Sequence, residues 1–128
     1  MKFTRMIGVA ASTAIFAAAI PAMAHPRLVS STPAANAVVS NVTQVTLSFS
    51  EGLVPQMSGI DLTMTAMPGM AGHKPMKVAG FKTAVASDGK TLTAALPRRL
   101  PAGSYRLDWH VVSVDTHRVA GNLAFTVK

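Results

Sequence analysis

After His25, apolar and polar residues alternate with a period of two, and this alternation points to half-buried β-strands. Gln44–Ser50 sets Val45, Leu47 and Phe49 on one face and Thr46, Ser48 and Ser50 on the other. Gly59–Thr65 repeats the pattern with Ile60, Leu62 and Met64 inward, and Thr91–Leu96 offers Leu92, Ala94 and Leu96. Tyr105–Val111 points Tyr105, Leu107, Trp109 and Val111 inward, and Leu123–Val127 closes the chain. Turn signals punctuate these runs: Thr32-Pro33 with Asn36, Glu51-Gly52, Pro68-Gly69, Asp88-Gly89, Pro101 with Gly103, and Gly121-Asn122. No segment after residue 25 sustains a helical period. The expectation is an all-β, single-domain chain of about seven strands, either an immunoglobulin-like antiparallel sandwich or a Greek-key β-barrel.

The amino terminus carries a different signal. Lys2 and Arg5 precede an apolar stretch from Met6 to Ile20, Pro21 follows, and Ala22-Met23-Ala24 is a small-x-small cleavage site. Residues 1–24 therefore read as a secretory signal peptide and residues 25–128 as the domain it exports. The apolar run is shorter than the roughly 20 residues a membrane span needs, so an uncleaved anchor is the weaker alternative. The chain has no cysteine, so packing must supply its stability without disulfides.

The formal net charge is +7. A basic balance raises nucleic acid or an anionic membrane as partners, but Lys74, Lys77, Lys82, Lys90, Arg98, Arg99, Arg106 and Arg118 are scattered without a dense run. A solvated basic surface is the expected reading, with no nucleic-acid partner. Arg98-Arg99 is kept as a docking spot for an acidic partner.

Three constellations could carry chemistry. Cleavage after Ala24 would give His25 both a free α-amine and an imidazole, a chelating pair suited to Cu(II); the plain alternative is an inert terminus. Asp115-Thr116-His117, taken as an extended segment, would point Asp115 and His117 the same way. These two with the two donors of His25 would make a four-donor set; the alternative is a surface turn with a hydrogen-bonded Asp. The third is Met64 to Met76, where Met64, Met67, Met70, Met76 and His73 are interleaved with Pro and Gly. Met64 keeps strand parity, while Met67, Met70 and Met76 fall in a loop. Exposed thioethers are soft ligands suited to Cu(I), or else an adaptable surface for a protein partner. Met57, outside the cluster, is expected to pack, and His110 to be exposed or hydrogen-bonded on the sheet. No nucleophile–base pair, phosphate-cradling glycine loop or carboxylate pair points to hydrolysis or phosphoryl transfer.

Together these features resemble the CopC family of periplasmic copper-binding proteins, over essentially the whole of residues 25–128. The resemblance lies in His25-Pro26-Arg27-Leu28-Val29-Ser30-Ser31-Thr32-Pro33, in Phe49-Ser50-Glu51 through Met64-Thr65-Ala66-Met67-Pro68-Gly69-Met70, and in Asp108-Trp109 followed by Val112-Ser113-Val114-Asp115-Thr116-His117 and Gly121. It implies a small Greek-key β-barrel with two copper sites at opposite ends. Cu(II) would be held by His25, Asp115 and His117, and Cu(I) by ligands drawn from Met64, Met67, Met70, His73 and Met76. It implies a copper carrier or buffer rather than an enzyme, working beside an inner-membrane copper transporter and a multicopper oxidase, as a monomer or a weak copper-bridged dimer. Arg118, where proline is common, and the longer Ala71-Gly72 spacing depart from the family pattern.

Two other functions fit parts of the sequence. An N-terminal histidine chelate with a second histidine is the arrangement of histidine-brace copper oxygenases. Against it stand the short chain, the inward parity of Tyr105 and Trp109, and Asp115 at the position oxygen would need. A protein-interaction module gripping its partner through the Met loop is the other.

Overall fold

The structure, a computed structural model, describes residues 14, 25–70, 72 and 74–128; the proposed signal peptide (Ala14 aside) and His73 lie outside the described residues. Among the described residues nine strands form two sheets: β1 (Leu28–Thr32), β2 (Val38–Val39), β3 (Gln44–Phe49), β4 (Gly59–Ala66), β5 (Met76–Lys77), β6 (Lys82–Val85), β7 (Thr91–Ala95), β8 (Gly103–Val112) and β9 (Arg118–Val127). One sheet has the order β1-β3-β7-β6 and the other β2-β9-β8-β4-β5. All pairings are antiparallel except β2 on β9. The sheets stay separate and do not close, so the fold is the sandwich and not the barrel. Among the described residues no helix is long and apolar enough to cross a membrane.

The alternation is realised as expected. Val45, Leu47 and Phe49 of β3 meet Ile60, Leu62 and Met64 of β4 and Tyr105, Leu107, Trp109 and Val111 of β8 in one core. Fully burying each large side chain contributes about 1.5–3 kcal/mol. Tyr105 stacks on Phe125 with ring centroids 5.4 Å apart, and Phe49 meets Trp109 edge-on at 5.1 Å. The buried Tyr105 hydroxyl donates to the Pro101 carbonyl at 2.6 Å, so its polar end is satisfied. Burial pushes the Tyr105 hydroxyl pKa up from its ordinary value.

Three local expectations are corrected. Gly121-Asn122 is not a turn: both residues lie inside β9, opposite Trp109 and Asp108 of β8. A Cβ on Gly121 would come within 2.4 Å of the Trp109 indole Cζ2, so the glycine marks close packing and not a reversal. Met57 is exposed rather than packed, because a 3₁₀ turn over Pro55–Met57 lifts it from the surface while Leu53 fills the core beneath. Met76 lies not in a loop but in β5, on the rung facing Met64 of β4; like β1, β2 and β6, this strand gives no alternating run, being only two residues long or having largely exposed or half-buried faces.

Candidate metal centre

Strand β8 and its partners run the length of the sandwich and set two different groups of side chains at its two ends. At one end, Val112 pairs with Arg118 just before the β8–β9 turn; at the other, Ser104 pairs with Ala66 where β4 enters the methionine segment. At about 3.3 Å per residue the two ends are about 25 Å apart along the strand.

The first end is built from segments distant in sequence. Pro26 is fully buried and pins the chain beside His25. Arg27 N–H donates to Ser50 Oγ at 2.8 Å, and Ser50 N–H donates to the Arg27 carbonyl at 2.9 Å. Two residues on, Val114 N–H donates to the Gly52 carbonyl at 3.0 Å, Leu53 bridges Ser113, and Val54 N–H donates to Val112 at 2.8 Å. The 50–54 segment therefore staples the amino-terminal stretch to the β8–β9 turn, with half-buried Glu51 at the junction.

The turn itself is closed by Thr116 N–H to the Ser113 carbonyl (2.8 Å) and Ser113 N–H to the His117 carbonyl (2.9 Å). Thr116 has φ +73°, a left-handed conformation costly for a β-branched side chain and found where surrounding structure enforces it. Asp115 and His117 do converge, but by this tight turn and not by the two-residue alternation of an extended segment. Asp115 Oδ1 lies 3.2 Å from His117 Nδ1, although Nδ1 is out of line for a hydrogen bond and has no partner of that kind. The fully buried Ser113 donates its hydroxyl to Asp115 Oδ1. That bond first, and then His117, holds the Asp115 carboxyl below the ordinary carboxylate range.

His25 completes the cluster. Its ring meets His117 edge-on, with centroids 5.0 Å apart. Two imidazoles and one carboxylate thus share an open rim of nitrogen and oxygen donors, the mix that suits a tetragonal Cu(II) ion. Among the described residues no three His, Cys, Asp or Glu side chains stand close enough together to hold a metal ion. A free α-amine would exist at His25 only after cleavage behind Ala24.

The second end carries thioethers. Met64 is 5% exposed and lies in the core; Met67 packs partly against that core. Met70 and Met76 are each 53% exposed. Pro68-Gly69 turns the chain, Gly69 at φ +75°, so that Met67 and Met70 form a bridge with Met70 N–H to the Met67 carbonyl at 3.2 Å. Met64 and Met76 occupy facing rungs of β4 and β5. Met67 and Met70 therefore meet across one tight turn, and Met64 and Met76 across one rung; Met64 is also packing.

Ser50, Ser113 and Pro26 stand in stretches that carry the family resemblance, but no sequence signal assigned them a part in the site. A lone serine in a strand or loop gives no periodic signal, and the value of Ser113 depends on a turn geometry that only the fold reveals. The one available hint was its position two residues before Asp115.

The described residues thus form a mainly antiparallel β-sandwich with two imidazoles and a carboxylate at one end and a methionine turn at the other. Residues 28–128 match the CopC domain family model, and the chain belongs to the CopC family. It is 50% identical to copper resistance protein C of Xanthomonas campestris pv. juglandis, covering 98% of this chain and 94% of that one. It is 47% identical to copper resistance protein C of Escherichia coli, over 89% and 90% of the two chains. Its fold is similar to the crystal structure of PcoC, a methionine-rich copper resistance protein from Escherichia coli, with TM-score 0.74, 47% identity and coverage of 82% of this chain and 100% of that one. Against CopC from Methylosinus trichosporium OB3b the TM-score is 0.66 at 32% identity, over 81% and 94% of the chains.

Proposed function

We propose that this protein is a periplasmic copper carrier or buffer serving copper resistance, and that its chemistry is ligand exchange rather than substrate turnover. Residues 1–24 would be removed as a signal peptide, leaving His25 as the terminus. Cu(II) would then be bound by the α-amine and imidazole of His25 together with Asp115 and His117. Cu(I) would be bound by ligands drawn from Met64, Met67, Met70, His73 and Met76. An inner-membrane copper transporter and a multicopper oxidase would be its partners in copper traffic.

The observation that carries this reading is the meeting of His25 with His117, 5.0 Å apart between ring centroids, beside Asp115. The 50–54 segment ties the two stretches together, and two imidazoles and a carboxylate stand where they meet. The copper resistance named in relatives up to 50% identical supports the choice of metal. Donor softness supports the assignment of oxidation states, nitrogen and oxygen for Cu(II) and thioether for Cu(I).

The test is a pair of chelator competitions, one with Cu(II) in air and one with Cu(I) under anaerobic reducing conditions. Replacing His117 by Ala should abolish tight Cu(II) binding and leave Cu(I) binding in place. Loss of both, or of neither, would overturn the two-site reading.

A further inference from the structure

The two ends also differ in charge. Glu51, Asp88 and Asp115 belong to the His25 end, while Asp61 and Asp108 face each other mid-sheet across β4 and β8. From Leu62 to Ser87 and from Gly89 to Leu107 the sequence has no carboxylate. The methionine end instead gathers Lys74, Lys77, Arg98 and Arg99, all exposed.

A cleft of about 620 Å³ opens among these charges, between the β4–β5 edge and the β7–β8 connection. Its floor includes Met64, Leu100 and Tyr105, and Lys77, Arg98 and Arg99 stand along its rim. No carboxylate lines it, and the ion pairs among the described residues, Arg106–Asp108 and His117–Asp115, lie elsewhere. Two adjacent arginines with a lysine opposite, all without an acidic neighbour, repel one another around an apolar hollow.

We propose that this cleft docks an acidic segment of a partner protein, its carboxylates pairing with Lys77, Arg98 and Arg99 and an apolar side chain filling the floor over Met64. Arginine forks bind carboxylates with two parallel hydrogen bonds. Complementary charge also speeds and orients encounter, so it favours rapid, specific contact more than lasting affinity. A lipid surface could neutralise the rim but could not enter the hollow, which favours a protein side chain as the occupant. What docking would deliver, copper from the adjacent methionine turn, rests on the function proposed above; the docking surface itself does not.

The probe is a blocked peptide of alternating Glu and Leu, titrated into the ¹⁵N-labelled domain. Amide shifts should concentrate at Val78, Leu100 and Tyr105, weaken as salt rises, and fall in affinity about tenfold or more in Arg98→Glu/Arg99→Glu, as expected when close charge pairs are lost. Lys77→Glu should weaken binding independently. Chelator competition on the same double variant reads the metal sites: unchanged copper affinity with lost peptide binding supports the docking surface. Absence of shifts at the cleft, equal peptide affinity in the variant, or binding only to phosphatidylglycerol vesicles would overturn it. Peptide binding by a protein that takes no copper would uphold the docking and refute the copper function.

Discussion

The indole of Trp109 occupies the space that a side chain on Gly121 would need: a Cβ there would sit 2.4 Å from Cζ2 and 2.8 Å from Cε2. The two residues are direct partners across β8 and β9, and the indole in turn meets Phe49 of the opposite sheet. The glycine thus leaves the indole the room it occupies against β9. Gly121→Ala is expected to destabilise the domain by about 1–3 kcal/mol through overpacking. Urea unfolding followed through Trp109, the sole tryptophan, would measure it; unchanged stability would mean that the indole can move aside freely.

Ser113 orients Asp115 and is itself fully buried. Groups that hold a metal ligand in place typically contribute 10–100-fold to metal affinity. Ser113→Ala should therefore weaken Cu(II) binding by about tenfold or more and shift the electron paramagnetic resonance spectrum, with Cu(I) affinity unchanged. Ser113→Thr, which retains the hydroxyl, should recover part of the loss if the larger side chain is tolerated. An unaltered spectrum in Ser113→Ala would show that the hydroxyl serves the turn alone.

Asp88 accepts hydrogen bonds from Thr91 Oγ1 at 2.7 Å, Lys90 N–H at 2.9 Å and Thr91 N–H at 3.0 Å. The Thr91 hydroxyl first, then the Lys90 amide, lowers its pKa below the ordinary carboxylate value. A carboxyl with a folded pKa below its unfolded one binds fewer protons in the native state, so its contribution is present above the unfolded pKa and is lost as pH falls through the folded one. The melting temperature of Asp88→Ala should accordingly lie below that of the parent at neutral pH. The gap should narrow as the solution is acidified below the carboxylate range. Thermal melts at stepped pH would show this, and a gap independent of pH would contradict it.

The same sign applies to Asp115, which stays a carboxylate to lower pH than an ordinary Asp. Metal ligands must be deprotonated to bind, so Cu(II) affinity should fall as the solution is acidified. Chelator competition at stepped pH tests this; affinity constant from neutrality to about pH 4 would exclude imidazole ligands.

Met64 separates packing from ligation at the other end. Met64→Leu nearly conserves volume and should cost under about 1.5 kcal/mol. Replacing Met67, Met70 and Met76 together by Leu should remove tight Cu(I) binding and spare Cu(II). If Met64→Leu alone lowers Cu(I) affinity sharply, the buried thioether is reached by the metal and the core opens to admit it.

Much of this was legible in the chain. The period-two runs placed Val45, Leu47, Ile60, Leu62, Leu107 and Trp109 in the core because alternation is dictated by the strand itself. Strand β9 was read only from Leu123, since Ala120-Gly121-Asn122 looks like a turn until Trp109 is seen lying over the glycine. The choice of sandwich over barrel was not legible, because sheet closure depends on which strand edges pair and not on the pattern within any strand. At the candidate site, His25, Asp115 and His117 could be named as residue types with shared chemistry. Their supports, Ser113 beneath Asp115 and Ser50 holding Arg27, could not, because each acts through a contact made by folding.

The most direct measurement compares Cu(II) binding by the protein beginning at His25 with binding by a version extended by one residue at that end. Electron paramagnetic resonance and competition against a calibrated chelator would be read for both. We expect the extension to change the spectrum and reduce affinity sharply, because it converts the α-amine of His25 into an amide. Identical spectra and affinities would contradict a Cu(II) site built on the terminus with Asp115 and His117.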